Sequence, residues 1–328
     1  MKYLVTGSTG HLGEGLVRTL QKRGDDYVSI DIKPSPFTTH VGSVYDRDLV
    51  RRAMQDVDVV FHCATLHKPH IVTHSKQDFI DCNISGTLTL LEEAVAQKVQ
   101  SFIFTSTTSI FGRILTPDPG APAVWLTEKL VPVPKNVYGI TKLAAENLCE
   151  QIHKDHGLPV LILRTSRFFP EDDDNKAVRS QFSNENAKIN EFLNRRGDIE
   201  DMVSAHLVAA RKAPDIGFDR FIISATSPFQ FDDRMALTKN MPDILRAITP
   251  YEKVYAERGW QMPETIGRVY VNDHARNALG WEPKHSFAST LERVKNGGQV
   301  ASDLAIAIGK KGYHEQVFEE GPYPVDPE

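Results

Sequence analysis

No stretch of the 328-residue sequence approaches the ~20 consecutive apolar residues that a membrane span requires. Cysteine is scarce: Cys63, Cys82 and Cys149 cannot all pair and show no CxxC spacing, so they read as reduced, buried thiols and exclude a disulfide framework. An excess of one charge is lacking too. The 38 Lys and Arg against 43 Asp and Glu leave a formal net charge of −5 with both signs interspersed, which argues against a basic nucleic-acid surface or a polybasic membrane patch. The opening MKYLVTGSTG has neither the apolar core nor the cleavage site of a signal peptide, and there is no internal repeat, heptad array or low-complexity tract. The expected partner is therefore a small molecule, with neither nucleic acid nor membrane, and the expected location is cytoplasmic.

What is present is an alternation. Short β-branched apolar runs at Lys2 to Thr6, Tyr27 to Asp31, Val59 to His62, Phe102 to Ser106 and Pro159 to Arg164 are separated by segments with helical apolar spacing. Those segments are Leu12 to Arg23, Asp46 to Met54, Asp78 to Gln97 and Tyr138 to His156. Such βαβ repetition predicts an α/β fold, a Rossmann-type doubly wound parallel sheet with a smaller C-terminal substrate-binding region. The predicted division is a nucleotide-binding domain over 1–170, its sheet completed by segments near 203–225, and a mainly substrate-binding region and tail over 171–328. Within the latter, Glu171 to Asn186 is dense in acids and amides and reads as a surface loop. Phe221 to Ile223 could return to the sheet, Met235 to Ile248 and His274 to Leu279 read as short helices, and EEGPYPVDPE reads as an extended tail.

Gly7, Gly10 and Gly13 in GSTGHLG lie between an apolar run and a helical pattern, the context a phosphate-binding turn requires. One position must escape Cβ strain, the pyrophosphate must approach bare backbone, and the helix N-terminus supplies N–H donors and the positive end of its dipole. Asp31 ends the second run, where an acid accepts ribose hydroxyls and repels a 2′-phosphate, so the expected cofactor is NAD rather than NADP. Lys33 is the nearby cation that could oppose this choice.

Tyr138 and Lys142 stand four apart in NVYGITKLAAENL, which puts both on one helix face. A cation beside a phenol favours the phenolate, so the pair could supply a proton-accepting oxygen while the lysine holds a cofactor ribose. Upstream, FTSTTSIFG ends a strand in a cluster of hydroxyls, and Thr107 could hydrogen-bond the reacting oxygen.

GxxGxxG, an Asp after the second strand, a hydroxyl-rich strand end and YxxxK, in this order, resemble the extended short-chain dehydrogenase/reductase family of NAD-dependent epimerases and dehydratases. HCAT from His62, Asn83 in DCNISGTLTLLEEA and NALGWEP near Trp281 are similar to further elements of that family, so the resemblance spans about residues 1–285. It implies Tyr138 as catalytic base, Lys142 as its partner and Thr107 as the catalytic hydroxyl. It also implies cofactor contacts from Gly7, Thr9, Gly10, His11, Leu12, Gly13, Asp31, Ile32, Ser43, Val44, His62, Ala64 and Thr105 as well as Tyr138 and Lys142. Ser43 stands where the family commonly has Asp. Implied substrate contacts are Thr107, Thr108, Asn83 and Arg167, and the implied assembly is a homodimer packed through Asp78 to Gln97 and Tyr138 to His156.

Members that eliminate water or carbon dioxide usually carry an acid directly after the catalytic hydroxyl, whereas here Thr108 and Ser109 follow. That leaves epimerisation or net oxidation and reduction of a sugar, nucleotide-sugar or small anionic hydroxy compound such as a uronate. Arg167 falls where sugar-nucleotide epimerases commonly have Asn. It could clamp a carboxylate or phosphate, or could simply pair with Glu171 or Asp172. His67, His70 and His74 suggest a metal cluster by spacing, but Pro69 interrupts the geometry, so no metal is expected there and the segment reads as a polar loop lining the substrate entrance. The rival from another class is a dinucleotide-sensing protein without catalysis, which has no chemical need for Thr107, Tyr138 and Lys142 together.

Overall fold

The structure, a computed structural model, describes residues 1–312 together with His314 and Phe318. The segment EEGPYPVDPE lies outside the described residues. Nine strands are described among them: β1 (Lys2–Thr6), β2 (Asp26–Asp31), β3 (His40–Val41), β4 (Val59–His62), β5 (Ser101–Thr107), β6 (Val124–Leu126), β7 (Val160–Thr165), β8 (Phe218–Ile223) and β9 (Arg268–Tyr270). Seven form one sheet in the order β3-β2-β1-β4-β5-β7-β8, every neighbouring pair parallel. The order reverses between β1 and β4, which opens a crevice at their carboxyl ends.

Successive strand residues point to opposite faces. On one face Tyr3, Val5, Phe61, Ile103, Leu161 and Phe221 pack with α1 (His11–Arg23) and a helix over Ile199–Ile216; on the other, Leu4, Ile30, Val60, Phe102, Phe104 and Ile162 pack with Leu49, Leu90, Leu91 and Ala145. Burial on both faces explains why the runs are apolar throughout rather than alternating. The second face is covered by α2 (Arg47–Ala53), α3 (Lys76–Ile80), α4 (Gly86–Ala96) and α5 (Val137–His156). A π-turn at Asp81–Ser85 joins α3 to α4, so the helix expected over Asp78 to Gln97 is interrupted by one wide turn.

The second half departs further from expectation. Residues 171–186 are not a surface loop: Glu171 and Asp173 are buried, and the segment contains α6 (Lys176–Gln181) and the start of α7 (Asn184–Glu191). The acids are buried because partners meet them inside the protein: arginines at Asp173, and His11 with the Lys311 amide at Glu171. The helix over Ile199–Ile216, α8, crosses back to the sheet and delivers β8 as an edge strand, as the segment near 203–225 led one to expect. In return β6 leaves the first 170 residues to pair with β9 in a small second sheet, so the sequence boundary at 170 is crossed in both directions. Met235 to Ile248 forms two helices, Arg234–Leu237 and Met241–Ile248, the second restarted by Pro242 in its first turn. Together with helices at Glu252–Arg258 and Phe287–Lys295 they enclose a third core of Ile189, Phe192, Leu237, Leu245, Tyr255, Val269 and Phe287. Only Cys149 of the three free thiols is buried; Cys63 and Cys82 are half-buried.

At the sheet edge, the Ile222 N–H of β8 donates to Glu128 Oε1 at 2.7 Å, and Arg220 lies over the Phe218 ring while pairing with Glu150.

Candidate active site

The glycine turn sits at the carboxyl end of β1. Gly7 has φ +74°, and a Cβ there would lie 2.8 Å from Ala64 N; a Cβ on Gly13 would lie 2.0 Å from the Gly7 carbonyl oxygen. Larger residues would push apart the turn, the helix and the end of β4. Gly10, the N-cap of α1, provides no side-chain cap, so the first-turn N–H groups face the crevice as an anion would need. Asp31 is buried beside the turn, its carboxylate accepting from Thr9 N at 2.9 Å and Lys33 N at 3.0 Å. These features fit a dinucleotide: bare backbone for the pyrophosphate, an acid at the strand end for the ribose.

The chemistry-bearing residues come from β5 and α5. Asn136 caps α5 by accepting from Gly139 N, which fixes the first turn that carries Tyr138. The Tyr138 phenol lies near Thr107 at the end of β5, whose hydroxyl favours the phenolate, but burial is the larger effect and pushes the phenol's pKa up to about 12. Lys142, one turn on, is buried with its Nζ 3.9 Å from the centroid of Phe104; burial lowers its pKa to about 8. The expected phenolate-favouring contact is not what the structure contains. Among the described residues the lysine makes no hydrogen bond, and it rests on an aromatic face instead, so the phenol is held protonated by its surroundings. Below Lys142, the wholly buried Glu146 accepts from Ser106 Oγ at 2.6 Å and from Arg164 Nη2 at 2.7 Å, locking α5 against β5 and β7.

Several expected site residues lie elsewhere. Asn83 is saturated: its Oδ1 accepts from Leu66 N and Thr65 Oγ1, and its Nδ2 donates to the Leu66 carbonyl and Thr141 Oγ1. It is a clamp between three segments rather than a substrate contact. The His62 ring is enclosed, with Thr6 at 2.8 Å and Thr87 at 2.9 Å on its two nitrogens, and burial holds it neutral. Thr105 faces α8, bonded to His206 Nε2 at 2.8 Å and donating to Cys63 Sγ, so neither side chain lines the crevice. Leu12 joins the core and Thr108 points to the Thr165 carbonyl. Ser43 is half-buried, Val44 buried and Ile32 exposed around the end of β2.

Arg167 does not stand ready for an anion either. Its Nη1 donates to Asp173 at 2.9 Å and Asp174 at 3.4 Å and lies 3.7 Å from Glu191, in a network that also holds Arg195 and Arg196. The pairing alternative was right in kind: the acids met are Asp173, Asp174 and Glu191, Asp172 is met only through its backbone carbonyl at 3.5 Å, and Glu171 is not met. Glu171 instead meets His11 Nε2 at 2.9 Å.

A ring wall lines one side of the site. His11 is edge-on to Phe169, Phe169 is stacked with His67 at 5.5 Å, and His67 is edge-on to Tyr138 at 6.4 Å. The loop carrying His67 was expected at the substrate entrance; what the sequence did not show is the ring contacts that His67 makes with Phe169 and Tyr138. Burial holds the His67 and His70 rings below their ordinary pKa, and His67 N donates to His70 Nδ1 at 3.0 Å. Among the described residues no group of three His, Cys, Asp or Glu is placed to hold a metal ion.

The sequence model of the NAD dependent epimerase/dehydratase family matches residues 3–219. The chain belongs to this family. Its cofactor is NAD, and the resemblance to extended short-chain dehydrogenases/reductases holds. The low-salt glycan biosynthesis protein Agl12 of Haloferax volcanii is 27% identical over 89% of this chain and 96% of its own length. A UDP-glucose 4-epimerase of Streptomyces lividans is 24% identical over 87% and 92%. An uncharacterized protein y4nG of Sinorhizobium fredii is 33% identical, but the match spans only 49% of this chain and 39% of that protein. Among solved structures, UDP-glucuronic acid 4-epimerase from Bacillus cereus in complex with UDP-glucuronic acid and NAD superposes with a TM-score of 0.62 at 22% identity, covering 94% of this chain and all of that one. The fold is thus that of the epimerases, and no helix among the described residues is long and apolar enough to cross a membrane.

Proposed function

We propose that the protein oxidises a hydroxyl carbon of a nucleotide-linked sugar and returns the hydride, as an epimerase, with Tyr138 transferring the proton. The observation that carries this reading is the placement of Thr107 at the carboxyl end of β5 and of Tyr138 and Lys142 one turn apart on the same face of α5, next to the glycine turn. NAD supplies the hydride acceptor and, when oxidised, a positive charge in the crevice. Thr107 orients the substrate hydroxyl, Tyr138 exchanges its proton with the reacting oxygen, and Lys142 holds the ribose and moderates the phenol. A phenol protonated at rest is suited to the return half of the reaction, in which a carbonyl oxygen must receive a proton.

A nucleotide-linked substrate is supported by a cavity of about 240 Å³ lined by Asn190, Asn194, Arg195 and Arg268 with the Phe182 ring. Arg195 is paired there with Glu191, which also lines the cavity, so Arg268, two amides and the Phe182 ring are what suit a base and an anionic linker better than a bare sugar. The relatives named for UDP-sugars agree. A small anionic hydroxy acid is less well supported, since Arg167 is already engaged by acids. The test is incubation of purified protein and NAD with sugar nucleotides, free uronates and polyols, following both NADH absorbance and isomer formation. Isomer formation from a sugar nucleotide supports the proposal; steady NADH accumulation makes the protein a dehydrogenase, and neither product from any of them removes the catalytic reading.

We further propose a cytoplasmic homodimer formed through α3, α4 and α5, where Ile80 and Ile140 remain exposed. A monomer by light scattering at micromolar concentration would count against it.

A further inference from the structure

The chain after Ile308 returns to the cofactor crevice. Lys311 N donates to Glu171 Oε1 at 2.9 Å, the same oxygen that lies 2.9 Å from His11 Nε2 in the first turn of α1. Lys311 Nζ pairs with Glu14, also in that first turn and buried, and Lys310 Nζ pairs with Asp172 at 3.0 Å. Three residues further on, the His314 ring lies 5.9 Å from His70, edge-on, and its Nδ1 is 3.3 Å from Thr73 Oγ1. One anchor point is therefore the helix that follows β1, and the other is the histidine turn that follows β4 (Lys68–Val72). These are the two sides of the crevice where the strand order reverses, the place at which an open α/β sheet takes its dinucleotide.

We propose that Gly309, Lys310, Lys311 and Gly312 together with His314 strap the cofactor crevice and retain NAD between turnovers. This inference rests on the assignment of that crevice to NAD. Its physical basis is that His11 follows the phosphate-binding turn directly, so Glu171 ties the turn to the strap through a single carboxylate. The strap also abuts the wall that runs through His70 and His67 to Tyr138, so a cofactor lying under it would have to break these contacts to leave. An enzyme that removes a hydride and returns it to the same substrate has no use for cofactor exchange in each cycle, and a closed strap fits that requirement.

The test preloads the full-length protein with NAD and follows its release in the presence of an NAD-consuming dehydrogenase as trap. Replacing Lys310, Lys311 and His314 together with Ala should speed release about tenfold or more, because contacts that must break on opening act mainly on the dissociation rate. Lys310→Arg with Lys311→Arg keeps both charge pairs and should keep release slow, which separates strap loss from general misfolding. Unfolding temperatures of the cofactor-free proteins should agree. Release from the triple variant within twofold of the unaltered protein would overturn the strap while leaving the NAD assignment intact. Failure of the unaltered protein to bind NAD at all would overturn both.

Discussion

The cofactor side and the substrate side of this protein are built by different means. From β1 to β5 the site is made of backbone: a glycine turn, strand ends and helix N-termini, placed by a sheet whose residues are buried on both faces. On the substrate side, residues 166–196 are held by a partly buried cluster of Arg167, Arg195 and Arg196 with Asp173, Asp174 and Glu191. Backbone geometry follows from local sequence, whereas a charge cluster depends on which side chains turn inward as the chain folds. The first kind of site can be read from a few motifs; the second exists only once the chain has folded.

The largest expected effect lies where the two sides meet. Tyr138→Phe removes the phenolic oxygen but keeps the ring in place, so kcat should fall by about 10² to 10⁴ while NAD affinity is retained. Steady-state and binding measurements check this, and a variant that keeps most of its turnover would move the chemistry elsewhere. Next comes the charge cluster. Glu191 meets all three arginines, which hold its carboxyl down to about 2 against the opposing effect of burial. Glu191→Ala should cost about 3–5 kcal/mol, since removing one partner strands buried charge. Denaturant unfolding measures it, and a loss below about 1 kcal/mol would mean that solvent screens this side as it does an ordinary surface pair.

Asp31→Ala probes the backbone-built side alone. The unaltered protein should prefer NAD over NADP at least about tenfold, and the variant should narrow that ratio, at a cost of about 1–3 kcal/mol in stability for the amides of Thr9 and Lys33 left without their acceptor. Equal affinities before substitution would remove Asp31 as the selecting acid.

The smallest effect concerns Lys142, whose pKa falls from 10.5 to about 8 on folding. Between those values the unfolded chain binds more protons than the folded one, so this lysine makes stability rise with pH across that window. Lys142→Met should therefore raise the unfolding temperature of cofactor-free protein at pH 7 by about 2 °C. The advantage should shrink as pH rises from 8 toward 10.5, while turnover and NAD affinity drop. A gap independent of pH would mean that the buried ammonium is not the cause.

The sheet and its cofactor turn were legible because they depend on period and on glycine. Each expected strand formed within a few residues of its predicted bounds, and Tyr138 and Lys142 fell on one face of α5 beside Thr107. Asn83, His62 and Thr105 were less accessible to sequence reasoning because a position near the site does not say which way a side chain points. Each satisfied its polar atoms within the protein. Glu171 and Asp173 misled for the opposite reason: a run of acids looks solvated until the partners that bury it, His11 for Glu171 and arginines for Asp173, are known. His67 had no motif to announce it, since its role comes from the rings of Phe169 and Tyr138 rather than from its neighbours in sequence.

The edge strand β8 has a consequence for assembly. A bare outer edge would offer a row of amide and carbonyl groups to another strand and invite end-to-end polymerisation. Here Glu128 occupies the Ile222 amide, and the charged Arg220 side chain lies over Phe218 at the same margin. A second copy cannot extend the sheet at this edge without displacing that carboxylate, so the edge is guarded against open-ended strand addition.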